Sequence, residues 1–245
     1  MASLLANFAI VLVEPKYSEN IGAAARSAMN MGISRLIVVR KEPPDQEKML
    51  MMATHHAAGL IENLELYDNL ADALTPFSRI IGTTARVGRQ RRAATTTRTA
   101  MTQIIPYLKS NQVAVLFGPE HRGLTNDNLK YCDLTSTIPT EDFSSLNLGQ
   151  AVAIHCYELY TALLDFLSGE RRVYTPKQAN SNEMEGMYHH LEEVLHKIEF
   201  LQNSGGRDDY WMRSIRQFLN RIELQAREVK IIHGFCRQFL KYEDS

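Results

Sequence analysis

Three short stretches of this chain gather side chains able to hold and orient polar ligands. The first is Asn20-Ile21-Gly22-Ala23-Ala24-Ala25-Arg26-Ser27. An asparagine amide both donates and accepts hydrogen bonds. The small residues after it let backbone or a ligand approach closely, and Arg26 offers a planar fork that grips phosphate. The second is Gly118-Pro119-Glu120-His121-Arg122-Gly123-Leu124-Thr125, two glycines bracketing a tight turn with a carboxylate inside it. Glu120 there orients a hydroxyl or amine, or caps a neighbouring helix. The third runs from Ile138-Pro139-Thr140 to Phe143-Ser144-Ser145-Leu146-Asn147-Leu148-Gly149-Gln150. Serine is a favoured N-cap, so a helix opening at Ser145 explains the serines. Asn147 in the first turn of such a helix is harder to explain, because asparagine is a poor helix former whose amide wants partners. Thr83-Thr84-Ala85-Arg86 adds hydroxyl and N–H groups at the end of an apolar run. Each stretch also has an ordinary reading: Asn20 as an N-cap, Arg26 as a surface ion-pair partner, residues 83–86 as a plain connection.

Several chemistries are excluded by what is missing. A dinucleotide fold places G-x-G-x-x-G after its first strand. Here that position holds Glu14-Pro15-Lys16-Tyr17-Ser18-Glu19-Asn20-Ile21-Gly22, with a single glycine. The 118–125 turn has P-loop glycine spacing but Leu124 in place of the phosphate-binding lysine, and Glu120 would repel phosphate. His55-His56 and His189-His190 are adjacent pairs that point apart on a helix, so the histidines are not expected to converge on a metal. The three cysteines lie far apart with no C-x-x-C pair, which argues against a disulfide framework or zinc knuckle and for a reducing cytoplasm.

The elements that must position these groups are legible in the apolar pattern. Phe8–Val13, Leu36–Val39, Ile80–Thr83, Val113–Phe117 and Leu134–Ile138 read as strands, the most apolar of them buried on both faces. Residues 64–66 suggest a short strand. Helices are expected over 20–31, 45–57, 67–74 and 145–167, and the stretch leading to Thr102 reads as a long loop without structure of its own. Alternating strands and helices argue for a mostly parallel sheet covered on both faces. Ligands of such sheets bind at the carboxyl ends of the strands, here the loops that begin at Glu14, Thr83, Gly118 and Pro139. Residues 169–182 are polar and read as a linker. Beyond it, Met184, Met187, Leu191, Val194, Leu195, Ile198 and Leu201 repeat at helical spacing, Gly205-Gly206 breaks that helix, and two more helical stripes follow, with the option that they are continuous. The expected organisation is a domain over 1–168, the linker, and a helical extension over 183–245.

Composition supports a folded protein: 44% of the 245 residues are hydrophobic and 22% charged, which excludes disorder over most of the chain. No uncharged apolar run approaches a membrane span, and the first residues lack the basic region of a signal peptide. Net charge is −1, so any affinity for nucleic acid must come from charge distribution. Residues 83–118 contain no acid yet carry Arg86, Arg89, Arg91, Arg92, Arg98 and Lys109, and residues 207–241 hold eight Lys or Arg against four Asp or Glu. These two islands are the candidate footprint for a phosphate backbone, with a solvated face as the ordinary alternative.

Taken in order, the segments starting at Asn20, Leu116 and Ile138 resemble the three motifs of the SpoU/TrmH branch of the SPOUT RNA methyltransferases, over about residues 8–168. Chain length, residues 83–86 and the helical tail are similar to its TrmJ subgroup, the tRNA (cytidine/uridine-32)-2′-O-methyltransferases. One departure is Pro119, where the family often has asparagine or arginine and where proline removes a backbone donor. The resemblance implies an α/β fold with a C-terminal trefoil knot, a homodimer, a tRNA substrate, and S-adenosyl-L-methionine as methyl donor with S-adenosyl-L-homocysteine as product. It implies neither metal nor membrane. Cofactor contacts would fall on Thr83, Thr84, Ala85, Gly118, Glu120, Ile138, Ser144, Ser145, Leu146 and Asn147. Arg26 of one subunit would meet the other's cofactor site and hold the target phosphate. Ser145 would position the reacting hydroxyl, Asn20 and Glu120 would orient Arg26 and the loops, and Arg86, Arg89, Arg91 and Arg92 would grip RNA together with the tail. Two alternatives remain: a ribosomal-RNA 2′-O-methyltransferase of the same branch, and a catalytically silent RNA-binding module.

Overall fold

A computed structural model describes residues 1–85, 94–142, 145–169, 177–202 and 206–242. The chain divides into two compact units, residues 1–175 and 176–245.

The first unit runs α1 (Ala2–Leu5), β1 (Phe8–Val13), α2 (Ser18–Asn30), β2 (Leu36–Val39), α3 (Gln46–Glu62), β3 (Glu65–Tyr67), α4 (Leu70–Leu74), β4 (Arg79–Thr83), β5 (Thr95–Thr96), α5 (Thr97–Ile104) with a 3₁₀ turn over Ile105–Lys109, β6 (Val113–Phe117), α6 (Asn126–Leu129), β7 (Leu134–Thr137) and α7 (Leu148–Ser168). The strands form one sheet in the order β3-β2-β1-β6-β4-β7-β5, every neighbouring pair parallel. Alternation along each strand divides the core between two faces. Phe8, Ile10, Leu12, Val113, Val115 and Phe117 pack with α2, α3 and α7 residues on one. Ala9, Val11, Val13, Ala114 and Leu116 pack with Leu70, Leu74, Phe77 and Leu124 on the other. The fold class expected from the apolar strands is therefore the observed one.

Several local expectations are corrected. Residue 67 ends a strand, and the helix after it begins only at Leu70, where Asn69 caps it through the Asp72 N–H. The α3 helix extends to Glu62 and is broken at Thr54, whose φ of 62° is the left-handed region. The stretch before Thr102 is not structureless. Thr95 and Thr96 pair with Ser136 and Thr137, and Thr96 then caps α5, whose buried Thr97, Ala100, Met101 and Ile104 recur at helical spacing.

The small residues of the Asn20–Ser27 stretch serve packing. A Cβ on Gly22 would lie 2.1 Å from the Met49 carbonyl oxygen, and one on Gly149 would lie 2.9 Å from Ala23 Cβ. These glycines let α2 sit tightly against α3 and α7, which fixes where Asn20 and Asn147 stand.

The second unit comprises α8 (Ser181–Lys197), α9 (Gly206–Arg221) and α10 (Ala226–Tyr242). The last two helices are separate rather than continuous. Met187, Tyr188, Leu219, Val229 and Ala179 form its core. Residues 177–180 belong to it: Gln178 bridges to Gln225, and Asn180 caps α8 in a capping box with Glu183. Two histidines do meet here, the Nδ1 atoms of His190 and His233 lying 2.7 Å apart with their rings edge to face. Among the described residues no cluster of three or more His, Cys, Asp or Glu could hold a metal ion, and no helix is long and apolar enough to cross a membrane.

Gly22→Ala forces a side chain into the α3 backbone and lowers unfolding free energy by about 1–3 kcal/mol, the usual range for overpacking. Gly59→Ala, with nothing within 4 Å of the added Cβ, raises it by up to about 1 kcal/mol because alanine restricts the unfolded chain. Urea denaturation of both variants checks the contrast, and a Gly22→Ala protein as stable as the parent would contradict it.

Candidate active site

Strand order assembles the site. β1, β6, β4 and β7 lie side by side and parallel, so the loops leaving their carboxyl ends open along one edge of the sheet, where such sheets bind ligands. The loop after β6 folds back on itself, Pro119 O accepting from Arg122 N at 3.3 Å and Gly123 N at 2.8 Å. Gly123 has φ 67°, and a Cβ on Gly118 would lie 2.2 Å from the backbone of Gly123 and Leu124. Both positions therefore require glycine. Proline is harmless at 119, since the turn uses its carbonyl and not the missing N–H. Arg122 pairs with Glu14 and so ties this loop to the end of β1.

Inside the loop, Glu120 accepts from the Lys16 N–H through Oε2 at 2.9 Å and from Asn20 Nδ2 through Oε1 at 2.5 Å. Asn20 Oδ1 accepts from Asn147 Nδ2 at 2.8 Å. Asn147 Oδ1 accepts from Gly149 N at 2.8 Å and Gln150 N at 3.3 Å, while Gln150 Oε1 accepts from Asn147 N. One hydrogen-bond chain thus links the three sequence segments. Asn147 is itself the N-cap of α7, which begins at Leu148 rather than at Ser145. Asn20 is not a cap: α2 starts two residues earlier, and the Asn20 amide bridges the other two segments.

The polarity of this chain is forced. The α7 N–H groups only donate, so Asn147 must turn its oxygen to them and its NH₂ to Asn20. Asn20 then has only its NH₂ to offer Glu120, which must accept and is best served by an ionised carboxylate. Partial burial works to raise the Glu120 pKa, but the Asn20 amide and the Lys16 N–H outweigh it and hold the carboxyl below its ordinary value.

A cavity of about 320 Å³ opens beside this chain. Of the residues expected at a cofactor, Thr83, Thr84, Ala85, Gly118, Glu120, Ile138, Ser145 and Leu146 line it. Thr83 Oγ1 donates to Leu116 O at 2.9 Å and the Thr84 N–H to Ser136 O at 2.9 Å, so those two groups stabilise the sheet edge. Asn147 lines an adjoining cavity of about 340 Å³ with Tyr17, Glu19 and Asn20, and Glu120, Ser145 and Leu146 border both. Arg26 is exposed on α2 and lines neither cavity. Ser144, Arg86, Arg89, Arg91 and Arg92 lie outside the described residues. Arg98 is held by Glu158 through two hydrogen bonds at 3.0 and 3.2 Å, and Lys109 sits over the Phe166 ring, so part of the first basic island is engaged within the protein.

Sequence reasoning missed His155, Ser136 and Phe117, which also line the cavity of about 320 Å³. His155 Nε2 lies 3.0 Å from Ser136 Oγ, its Nδ1 lies 2.8 Å from Ala151 O, and its ring meets Phe117 edge-on. Burial drives its pKa down to about 4, so it is neutral at physiological pH. A carbonyl can only accept, so Nδ1 carries the proton and Nε2 accepts from Ser136. With both nitrogens taken, this imidazole is a fixed wall of the cavity and not a free base. The available signal was its place in the apolar stripe Leu148, Val152, Leu159, Leu163 of α7.

Asn20→Ala removes the nearest side-chain donor and moves the Glu120 titration upward, which a ¹³C-NMR titration of its carboxyl carbon reads. In the parent, a depressed native pKa means stability that is complete above the unfolded-state pKa and lost as pH falls through the native one. That contribution shrinks in the variant. An unchanged midpoint would show that Asn20 does not hold the carboxylate.

Residues 7–157 match the SpoU rRNA Methylase family, and residues 182–244 match the C-terminal domain of the tRNA methyltransferase TrmJ. The tRNA (cytidine/uridine-2′-O-)-methyltransferase TrmJ of Sodalis glossinidius is 34% identical over 237 residues, covering 94% of this chain and 90% of that one. Its namesake from Pectobacterium atrosepticum is 32% identical over 244 residues, covering 98% and 100%. The crystal structure of TrmJ from Z. mobilis ZM4 matches with a TM-score of 0.78 at 28% identity, covering 94% of this chain and 97% of that one. With glycine-bracketed loop, paired asparagines and a matching tail over nearly its whole length, the chain belongs to the SpoU methylase family and ends in a TrmJ-type C-terminal domain.

Proposed function

We propose that the protein transfers the methyl group of S-adenosyl-L-methionine to a ribose 2′-hydroxyl of tRNA, at cytidine or uridine 32 of the anticodon loop. The observation that carries this reading is the hydrogen-bond chain Asn147–Asn20–Glu120 at the mouth of a cavity lined by eight of the ten residues expected to touch that cofactor. Relatives named as tRNA 2′-O-methyltransferases over nearly the full chain support the reaction and substrate class. The TrmJ-type tail favours tRNA over ribosomal RNA.

The cavity suits the cofactor in size, within the range of small-molecule sites, and in chemistry. The ionised Glu120 carboxylate favours a cation beside it, and the Arg122 charge is offset by Glu14. When bound, the cofactor supplies an electrophilic methyl on a sulfonium. The chain's own residues do the rest. Thr83–Ala85, Gly118, Ile138 and Leu146 shape the walls. Ser145, bordering both cavities, holds the acceptor hydroxyl in line, which is where alignment accelerates the reaction.

Arg26 acts in trans in this reading. Arg26 lines neither cavity of its own chain, which supports the arrangement that the family resemblance implies, in which it serves the cleft of a partner subunit in a homodimer. There its guanidinium holds the phosphate beside the target ribose. Arginine stays charged and is a poor base, so the proton leaves toward that phosphate while Arg26 stabilises the negative charge. Arg86, Arg89, Arg91 and Arg92 hold the RNA backbone. The trefoil knot of the SPOUT fold and a cytoplasmic location complete the reading.

Incubation with labelled cofactor and total tRNA, followed by mapping of the modified nucleotide, tests it. Label is expected at a 2′-O-methylated residue 32. Arg26→Ala lowers transfer by about 10²–10³-fold, the range for losing one group that stabilises charge in the transition state, and leaves cofactor affinity intact. Mixing Arg26→Ala with Gly118→Val subunits restores part of the activity, because one composite site in such a heterodimer is whole. No label in tRNA, or no complementation, would contradict the substrate or the trans arrangement respectively.

A further inference from the structure

We infer that the solvent face of α9 is a stacking platform for unpaired RNA bases. The inference rests on the RNA-methylating reading and deepens it by naming which part of the RNA the C-terminal unit takes.

Helical geometry gathers the side chains. At about 100° per residue, Arg207, Tyr210, Trp211, Phe218, Arg221 and Ile222 fall within about 120° of one another, while Asp208 and Asp209 project outside that arc. All six are exposed, Tyr210 by 61% and Phe218 by 52%. The unit's core does not use them: Met212 and Leu219, on the other side of the helix, are its buried residues. Three exposed rings on one helix face mark a binding surface. Trp211 meets Phe200 at 5.3 Å and Tyr210 at 5.8 Å, both inclined rather than stacked face to face. The Arg221 guanidinium lies 5.9 Å from the Phe218 ring centre.

Charge identifies the occupant. Every charged group in the arc is an arginine, so the face suits a partner that is negatively charged and presents flat π-surfaces. Unpaired nucleotides offer both, bases to the rings and phosphates to the guanidinium groups, and aromatic–arginine faces of this kind bind single strands with little sequence preference. A duplex buries its base faces and offers only phosphates. The exposed Arg227, Lys230 and Arg237 of α10 add positive charge to the same unit.

The chain has one tryptophan, Trp211, so intrinsic tryptophan fluorescence reads this face directly. The full-length protein is titrated with an RNA hairpin carrying an unpaired loop and with a blunt duplex of equal length. The hairpin is expected to quench Trp211 and to bind about tenfold more tightly than the duplex. Tyr210→Ala and Phe218→Ala each weaken hairpin binding by about tenfold, the usual scale for one stacked base. They leave the salt dependence unchanged, since no charge is removed. Phe218→Tyr keeps the ring and retains binding; Phe218→Leu keeps bulk and loses it. Equal quenching by duplex, or hairpin affinity indifferent to these variants, would overturn the proposal. So would a Trp211 signal that follows protein concentration without RNA, which would make the face a contact between copies of the chain. Methyl transfer to tRNA is measured in parallel: transfer without hairpin quenching defeats this inference alone, and quenching without transfer defeats the reading it rests on.

Discussion

The amide of Asn147 can face only one way, and the site follows from that. The first N–H groups of α7 need an acceptor, and Asn147 Oδ1 supplies it. Its NH₂ is thereby aimed at Asn20, Asn20 is aimed at Glu120, and Glu120 is left as the acceptor at the end of the line. A helix cap, normally a local matter of about 1 kcal/mol, here orients, through Asn20, a donor onto a carboxylate 27 residues upstream in sequence. The arrangement is preorganised: the amides of Asn147 and Asn20 and the Glu120 carboxylate are already hydrogen-bonded to one another, so little reorganisation is needed on binding.

That chain can close only because the backbone brings its members together. The sheet order sets β1, β6, β4 and β7 side by side, and the glycines at 22 and 149 let α2 approach both α3 and α7. The smallness of the Gly22–Ala25 run is thus a packing requirement with a functional result. The glycines at 118 and 123 do the same for the loop, which folds back tightly enough to place Glu120 beside Lys16 N and Asn20. His155 lines the cavity as a neutral wall, its two nitrogens spent on Ala151 and Ser136.

How much of this was legible depends on the length scale of the cause. The two-faced burial of Phe8–Val13 and Val113–Phe117 writes itself as unbroken apolar runs, so the parallel sheet and the loops that matter were readable. Segments of two to four residues, such as β5 and α6, are too short to carry a period. The α5 helix was obscured because its threonines are weak helix formers, although its buried positions recur correctly. Asn20 and Asn147 were singled out, and the family resemblance gave them roles at the site, but local sequence alone offered a cap for the first and an oddity inside a helix for the second. Their partners lie 100 and 127 residues away, and no local pattern encodes that. His155 hid in an apolar stripe, where a histidine usually signals only a satisfied core residue.

The most direct test of the central claim is a calorimetric double-mutant cycle. S-adenosyl-L-homocysteine is titrated into the parent protein, Asn20→Ala, Asn147→Ala and the double variant. If the three segments act as one hydrogen-bonded unit, the double variant loses little more affinity than the worse single variant, giving a coupling energy of about 1 kcal/mol or more between the two sites. Losses that simply add would mean that the asparagines contribute independently, and that the chain from α7 to Glu120 does not organise the cleft.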